Sequence, residues 1–217
     1  MSTGVFVSLL LFASTALAEP TRIVRDAPRN HLWVLQQDAV YLHDATTRAL
    51  KKRFELPGWI HVDEAYACAP ALAVDAQGAA VVSSNIVPML WRIDPRTSQV
   101  STHELTLDAD NDKDVGFSGL TYAPDQGVFF GVSSVYGSLW RIDPLLRRAQ
   151  KIPLSAPIKD ACGLAVERSK TRRTLVLCAR AAQGALTIHL APDQRSAYVR
   201  SDPCLGYRAE RELAFVK

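Results

Sequence analysis

The sequence predicts an all-β fold, a small β-propeller of four four-stranded blades, or five if residues 206–217 add a further one. Two observations carry this. The hexapeptide Leu-Trp-Arg-Ile-Asp-Pro occurs at residues 90–95 and again at 139–144, so 49 positions separate Trp91 from Trp140. A period of roughly 40–50 residues marks propellers and solenoids. Around each copy lie short apolar runs divided by Gly, Pro, Asp and Ser, the pattern of a β-rich array.

Each unit reads as four runs, a to d. In the second unit, Ala-Leu-Ala-Val-Asp at 71–75 is run a and Ala-Ala-Val-Val-Ser-Ser at 79–84 is run b. The hexapeptide is run c, and residues 100–107 are run d. The third unit repeats this with 119–125, 127–134, 139–144 and 149–154. Weaker copies flank the pair. His-Leu-Trp-Val-Leu at 31–35, Ala-Val-Tyr-Leu-His-Asp at 39–44 and residues 46–57 supply runs b, c and d of a first unit. Residues 163–166, 174–178 and 186–189 supply runs a, b and c of a last one. Side chains alternate along a strand, so Leu90, Arg92 and Asp94 share one face of run c. Trp91 and Ile93 share the other, expected to pack on the next blade. Arg92 and Asp94 are placed to pair with each other or to cap loops, and Asp94-Pro95 opens a turn.

Residues 1–18 are excluded from this fold. An apolar stretch at 5–13, with Ala-Leu-Ala at 16–18, reads as a secretory signal peptide, leaving 19–217 as a single propeller domain. No stretch approaches the roughly 20 apolar residues that span a bilayer, so no membrane span is expected in the mature chain. The expected location is therefore exported, periplasmic or secreted. The net charge is +3, with basic residues in short clusters at expected turns and outer strands. Those clusters discourage edge pairing and form no stripe for nucleic acid. Four cysteines in an oxidising compartment favour disulfides, with three connectivities open. A turn centred near Lys170 would set Cys162 against Cys178 on adjacent strands, leaving Cys68 with Cys204 to pin the C-terminal end.

The pattern Leu-Trp-x-Ile-Asp-Pro-x-Thr-x-x-Val at 90–100 resembles the repeats of streptogramin-lyase-like, NHL-type and gluconolactonase/regucalcin-like β-propellers. The resemblance covers about residues 31–190. It implies a blade rather than an activity, because such propellers include lactonases, lyases and binding modules.

In such a ring the inter-blade segments and the b-to-c loops line one mouth. Trp59, His61, Asp63 and Glu64 lie on one such segment, Asp160 on another. Ser83, Ser84, Asn85, Ser133, Ser134 and Tyr136 lie on b-to-c loops. Trp59, Asp63, Asn85, Tyr136 and Asp160 are the candidate ligand contacts. His61 and Glu64 are the candidate acid/base or metal-binding pair, since His beside carboxylates supports either role. The resemblance adds that streptogramin-lyase-like enzymes use His and Glu around a divalent metal. It also places Asn85 where a lactonase metal ligand would fall, although the first-blade Glu-Gly-Pro-type motif of the lactonases is absent. Asp108, Asp110, Asp112 and Asp114 alternate along a third segment and could supply oxygens to a cation such as Ca²⁺. That run is not an EF-hand loop: counting from Asp108, the sixth position is Lys113 and the twelfth Gly119. Ser118 lacks the nucleophile-elbow pattern. The functional expectation is an exported, noncatalytic propeller binding a ligand or partner protein at its mouth. The alternative is a metal-dependent lactonase- or lyase-like enzyme.

Overall fold

The computed structural model describes residues 22–62, 68–108, 116–167, 176–181, 184–193 and 195–200. They form a four-bladed β-propeller. The first blade orders β1 (Arg22–Asp26), β2 (His31–Leu35), β3 (Val40–Asp44) and β4 (Leu50–Phe54) from axis to rim. The second holds β5 (Leu72–Val74), β6 (Ala80–Ser83), β7 (Met89–Asp94) and β8 (Gln99–Glu104). A two-residue strand, β9 (Thr106–Leu107), follows. The third blade is β10 (Gly119–Ala123), β11 (Val128–Ser133), β12 (Ser138–Ile142) and β13 (Arg148–Ile152), with β9 as a fifth, parallel edge strand. The fourth is β14 (Leu164–Glu167), β15 (Val176–Ala181), β16 (Gly184–Leu190) and β17 (Ala197–Arg200). The described residues thus hold four blades; residues 206–217, the possible source of a fifth, lie outside them, as do 1–18.

Three refinements to the sequence reading follow. Run d of the second unit is two strands, because buried Leu105 donates its N–H to Pro88 O and the chain then crosses to the edge of the third blade. Trp91 and Ile93 pack back on the preceding blade, in a cluster with Trp33, Val40 and Phe54. Leu90, on the opposite face, meets the following blade. Arg92 pairs not with Asp94 but with Asp75, at 2.8 Å. Asp94 instead receives the backbone N–H of Arg96.

Three apolar clusters fill the seams between successive blades. Trp91 and Trp140 occupy equivalent places on the third strands of their blades, Trp33 lies on the second strand of the first, and all three are almost wholly buried. Each removes roughly 200 Å² from water, at most about 5 kcal/mol before entropy is counted. The inner strands touch in sequence, β1 with β5, β5 with β10 and β10 with β14. Gly119 exists because of this closeness: a Cβ there would lie 2.8 Å from the backbone carbon of Gly163.

The ring closes through Arg22 at the start of β1. Its Nη2 donates to the carbonyl oxygens of Cys162 at 2.8 Å, Ala69 at 3.2 Å and Ser118 at 3.5 Å. Those carbonyls stand just ahead of the inner strands of the fourth, second and third blades. One guanidinium therefore ties four blades at one end of the axis. A charged donor on neutral carbonyls is among the stronger hydrogen bonds a fold can make.

Candidate functional site

All four inner strands begin at the end that Arg22 closes, and the antiparallel second strands return to it. The inter-blade segments and b-to-c loops therefore share this mouth, and hydrogen bonds knit them. Phe117 N donates to Ser84 O, Ile158 N to Gly137 O and Asp160 N to Ser134 O. Serine hydroxyls repeat the device from strand ends. Ser83 Oγ donates to Phe117 O at 2.7 Å, and Ser118 Oγ to Ala161 O at 2.6 Å. Ser118 is thus a buried seam staple.

A disulfide crosses this mouth, joining Cys68 to Cys162 with Cα atoms 5.0 Å apart. The cysteines precede the inner strands of the second and fourth blades, which face each other across the axis. This overturns the expected pairs, Cys162 with Cys178 and Cys68 with Cys204. The register explains the difference. Leu164 lies opposite Ala179 and Ala165 opposite Cys178, so Cys162 falls three residues out of step with Cys178. Cys204 lies outside the described residues.

Asn85 is buried beneath the mouth, where its Nδ2 donates to Val62 O at 2.5 Å and Cys68 O at 2.9 Å. It fastens the segment that leads into the second blade. Its Oδ1 is buried with no hydrogen-bond partner among the described residues. Trp59 packs against the seam of blades one and two and meets His61 edge to face, ring centroids 5.5 Å apart. Tyr136 and Asp160 are exposed, Asp160 with a left-handed backbone at φ 58°. Asp63 and Glu64 lie outside the described residues, so the geometry of the His61–Glu64 pair is not described.

Of the acidic run, Asp108 is described and its Oδ1 accepts the N–H of Lys151 at 2.7 Å, at the edge of the third blade. Asp110, Asp112 and Asp114 lie outside the described residues. Among the described residues no three His, Cys, Asp or Glu side chains come together in a way that could hold a metal ion.

Sequence reasoning named Trp59 and Tyr136 at this mouth but missed the aliphatic residues Ile60, Val87 and Val135. Ile60, Val87, Val135 and Tyr136 are 65, 37, 47 and 42 % exposed, and all four sit on mouth segments. The signal was available: each is a large apolar or aromatic residue within a loop that also holds Gly, Ser or Asn. Arg22 was also missed, because no strand was assigned to residues 22–26.

The four sheets of the described residues define a four-bladed β-propeller, and solved β-propellers of several kinds resemble it. Virginiamycin B lyase from Staphylococcus aureus matches with a TM-score of 0.58 and 14% identity, over 85% of this chain and 55% of that one. Hydrazine synthase from Kuenenia stuttgartiensis matches with a TM-score of 0.57 and 15% identity, over 86% and 51%. An auxiliary nutrient binding protein from Bacteroides thetaiotaomicron matches with a TM-score of 0.56 and 13% identity, over 83% and 41%. The chain thus spans about half the length of the first two and less of the third. At these identities the likeness is one of fold, and the neighbours' functions differ. No protein-family model matches the chain, and no curated protein matches its sequence.

Proposed function

We propose that this is an exported, noncatalytic propeller that binds a partner protein through its mouth. One observation carries the reading: Ile60, Val87, Val135 and Tyr136 are exposed on loops of the same end. Interfaces draw on aromatic and apolar side chains at their buried centres. Arg22, the serine staples and the Cys68–Cys162 bridge hold those loops on a rigid base, so little ordering would be needed on binding. The disulfide fits an oxidising compartment. Among the described residues no helix is long and apolar enough to cross a membrane.

Photocrosslinking by position tests this. A benzophenone side chain placed at Val87 or Val135 should give a discrete adduct in the export compartment, and one placed at rim residue Leu50 or Tyr198 should not. Equal adducts from all four positions, or none from the mouth, would refute it. Lactone hydrolysis or lyase activity that is lost on chelation, and lost again in His61→Ala, would establish the enzymatic alternative.

A further inference from the structure

Away from the mouth, a cleft of about 330 Å³ opens on the seam between the second and third blades. Its lining comes from the turn after β5 (Asp75, Gln77), from β7 and β8 (Arg92, Ser101, His103) and from the turn after β12 (Pro144, Leu145, Leu146). The volume sits at the small end of the range for ligand pockets.

The charges in this cleft are unevenly committed. Both oxygens of Asp75 are engaged: one accepts the N–H groups of Gln77 and Ala79, the other accepts Arg92 Nη2 at 2.8 Å. Its carboxylate therefore serves to fix the arginine. A guanidinium has five N–H donors, and the described residues engage only this one nitrogen of Arg92. Beside it, Ser101 Oγ and His103 Nε2 lie 2.9 Å apart. Burial, and then the positive charges of Arg92 and Arg147, hold the imidazole below its ordinary pKa. Near neutral pH it is an uncharged hydrogen-bonding group. Across the gap, Asp143 caps its own turn by accepting the N–H groups of Leu145, Arg147 and Arg148. That turn presents Leu145, 62 % exposed, above buried Leu146.

We propose that this cleft binds a small monocarboxylate with an apolar tail. The carboxylate takes the open edge of the Arg92 guanidinium and the Ser101 hydroxyl, whose proton is free for it when His103 donates its Nε2 proton to Ser101 Oγ, and the tail lies on Pro144 and Leu145. Arginine presents two parallel donors matched to a carboxylate. The neighbouring Asp75 disfavours a dianion, so a single negative charge is the better fit. The apolar wall selects a tail rather than a bare inorganic anion.

Sodium hexanoate is the probe, titrated into the uniformly ¹⁵N-labelled protein at millimolar concentrations. Amide shifts should move saturably at residues 75–77, 101–103 and 145–146. Hexan-1-ol, which lacks the charge, and acetate and phosphate, which lack the tail, should bind at least about tenfold more weakly. Arg92→Gln should weaken hexanoate by about tenfold or more. Leu145→Glu, which alters an exposed side chain and leaves the core alone, should do the same by repulsion. The proposal is overturned if no saturable shift arises, if the shifts centre on other residues, if phosphate binds as tightly as hexanoate, or if Leu145→Glu binds hexanoate unchanged.

Discussion

The Cys68–Cys162 bridge closes a chain segment with a sequence separation of 94 residues. Replacing both cysteines by alanine frees that loop in the unfolded chain while leaving small apolar side chains at the mouth. The loop-entropy relation for a separation of this size gives about 4.6 kcal/mol at 25 °C as the gain from the crosslink. Residual structure in the denatured chain lowers the effect, and native disulfides typically contribute about 2–5 kcal/mol. For a domain of this size each kcal/mol moves Tm by about 2–4 °C. The variant should therefore melt roughly 4–18 °C lower by calorimetry. A second readout separates the two states on which the substitution acts. If the bridge works by restricting the unfolded chain, its removal exposes more surface on unfolding, and the urea m-value should rise. A drop in Tm under about 3 °C with an unchanged m-value would refute the reasoning, because no long loop would then have been held closed.

Other perturbations probe the seams. Arg22→Met removes the donor shared by Cys162, Ala69 and Ser118, and should cost about 2–4 kcal/mol in urea unfolding; a loss under 1 kcal/mol would mean that the axis is held by other contacts. Gly119→Ala forces a Cβ to within 2.6 Å of Val132 Cγ2 and 2.8 Å of Gly163 backbone, and should destabilise by about 1–3 kcal/mol. A neutral result there would show that the inner strands can separate. His103 is held below its ordinary pKa of 6.5 by burial and then by Arg92 and Arg147. The unfolded chain takes up its proton first as pH falls, so this contribution is intact above 6.5 and lost as pH drops below it. His31 is lowered in the same direction, chiefly by burial and then by Lys51. Thermal melts from pH 7.5 to 5.5 should accordingly show a shallower decline in His103→Gln than in the parent protein, and equal slopes would contradict the assignment.

The blades were legible because their signal is periodic. Trp91 and Trp140 recur with the same neighbours, and burial of one face dictates the alternation around them. The first inner strand was not legible, since Arg-Ile-Val-Arg-Asp carries charge on both faces and offers no apolar alternation. Its Arg22 works only by meeting carbonyls from residues up to 140 positions away, a relation no local pattern encodes. The cysteine pairing failed for a related reason. It hinged on the turn between β14 and β15, and a displacement of three residues in that ladder was enough to separate Cys162 from Cys178. Asp75, in the turn after β5, and Arg92, on β7, are 17 positions apart, so the nearer Asp94 looked the better partner. At the mouth, sequence located the right loops and named polar residues with Trp59 and Tyr136, yet it passed over the exposed aliphatic side chains Ile60, Val87 and Val135.

Peptide mapping of the unreduced protein by mass spectrometry tests the ring most directly. Four blades closing on one axis bring the segments ahead of the second and fourth inner strands together, and the digest should then contain a peptide pair linked through Cys68 and Cys162. A digest in which Cys162 is joined to Cys178 instead, with Cys68 bonded elsewhere, would contradict the closed ring and the mouth built on it.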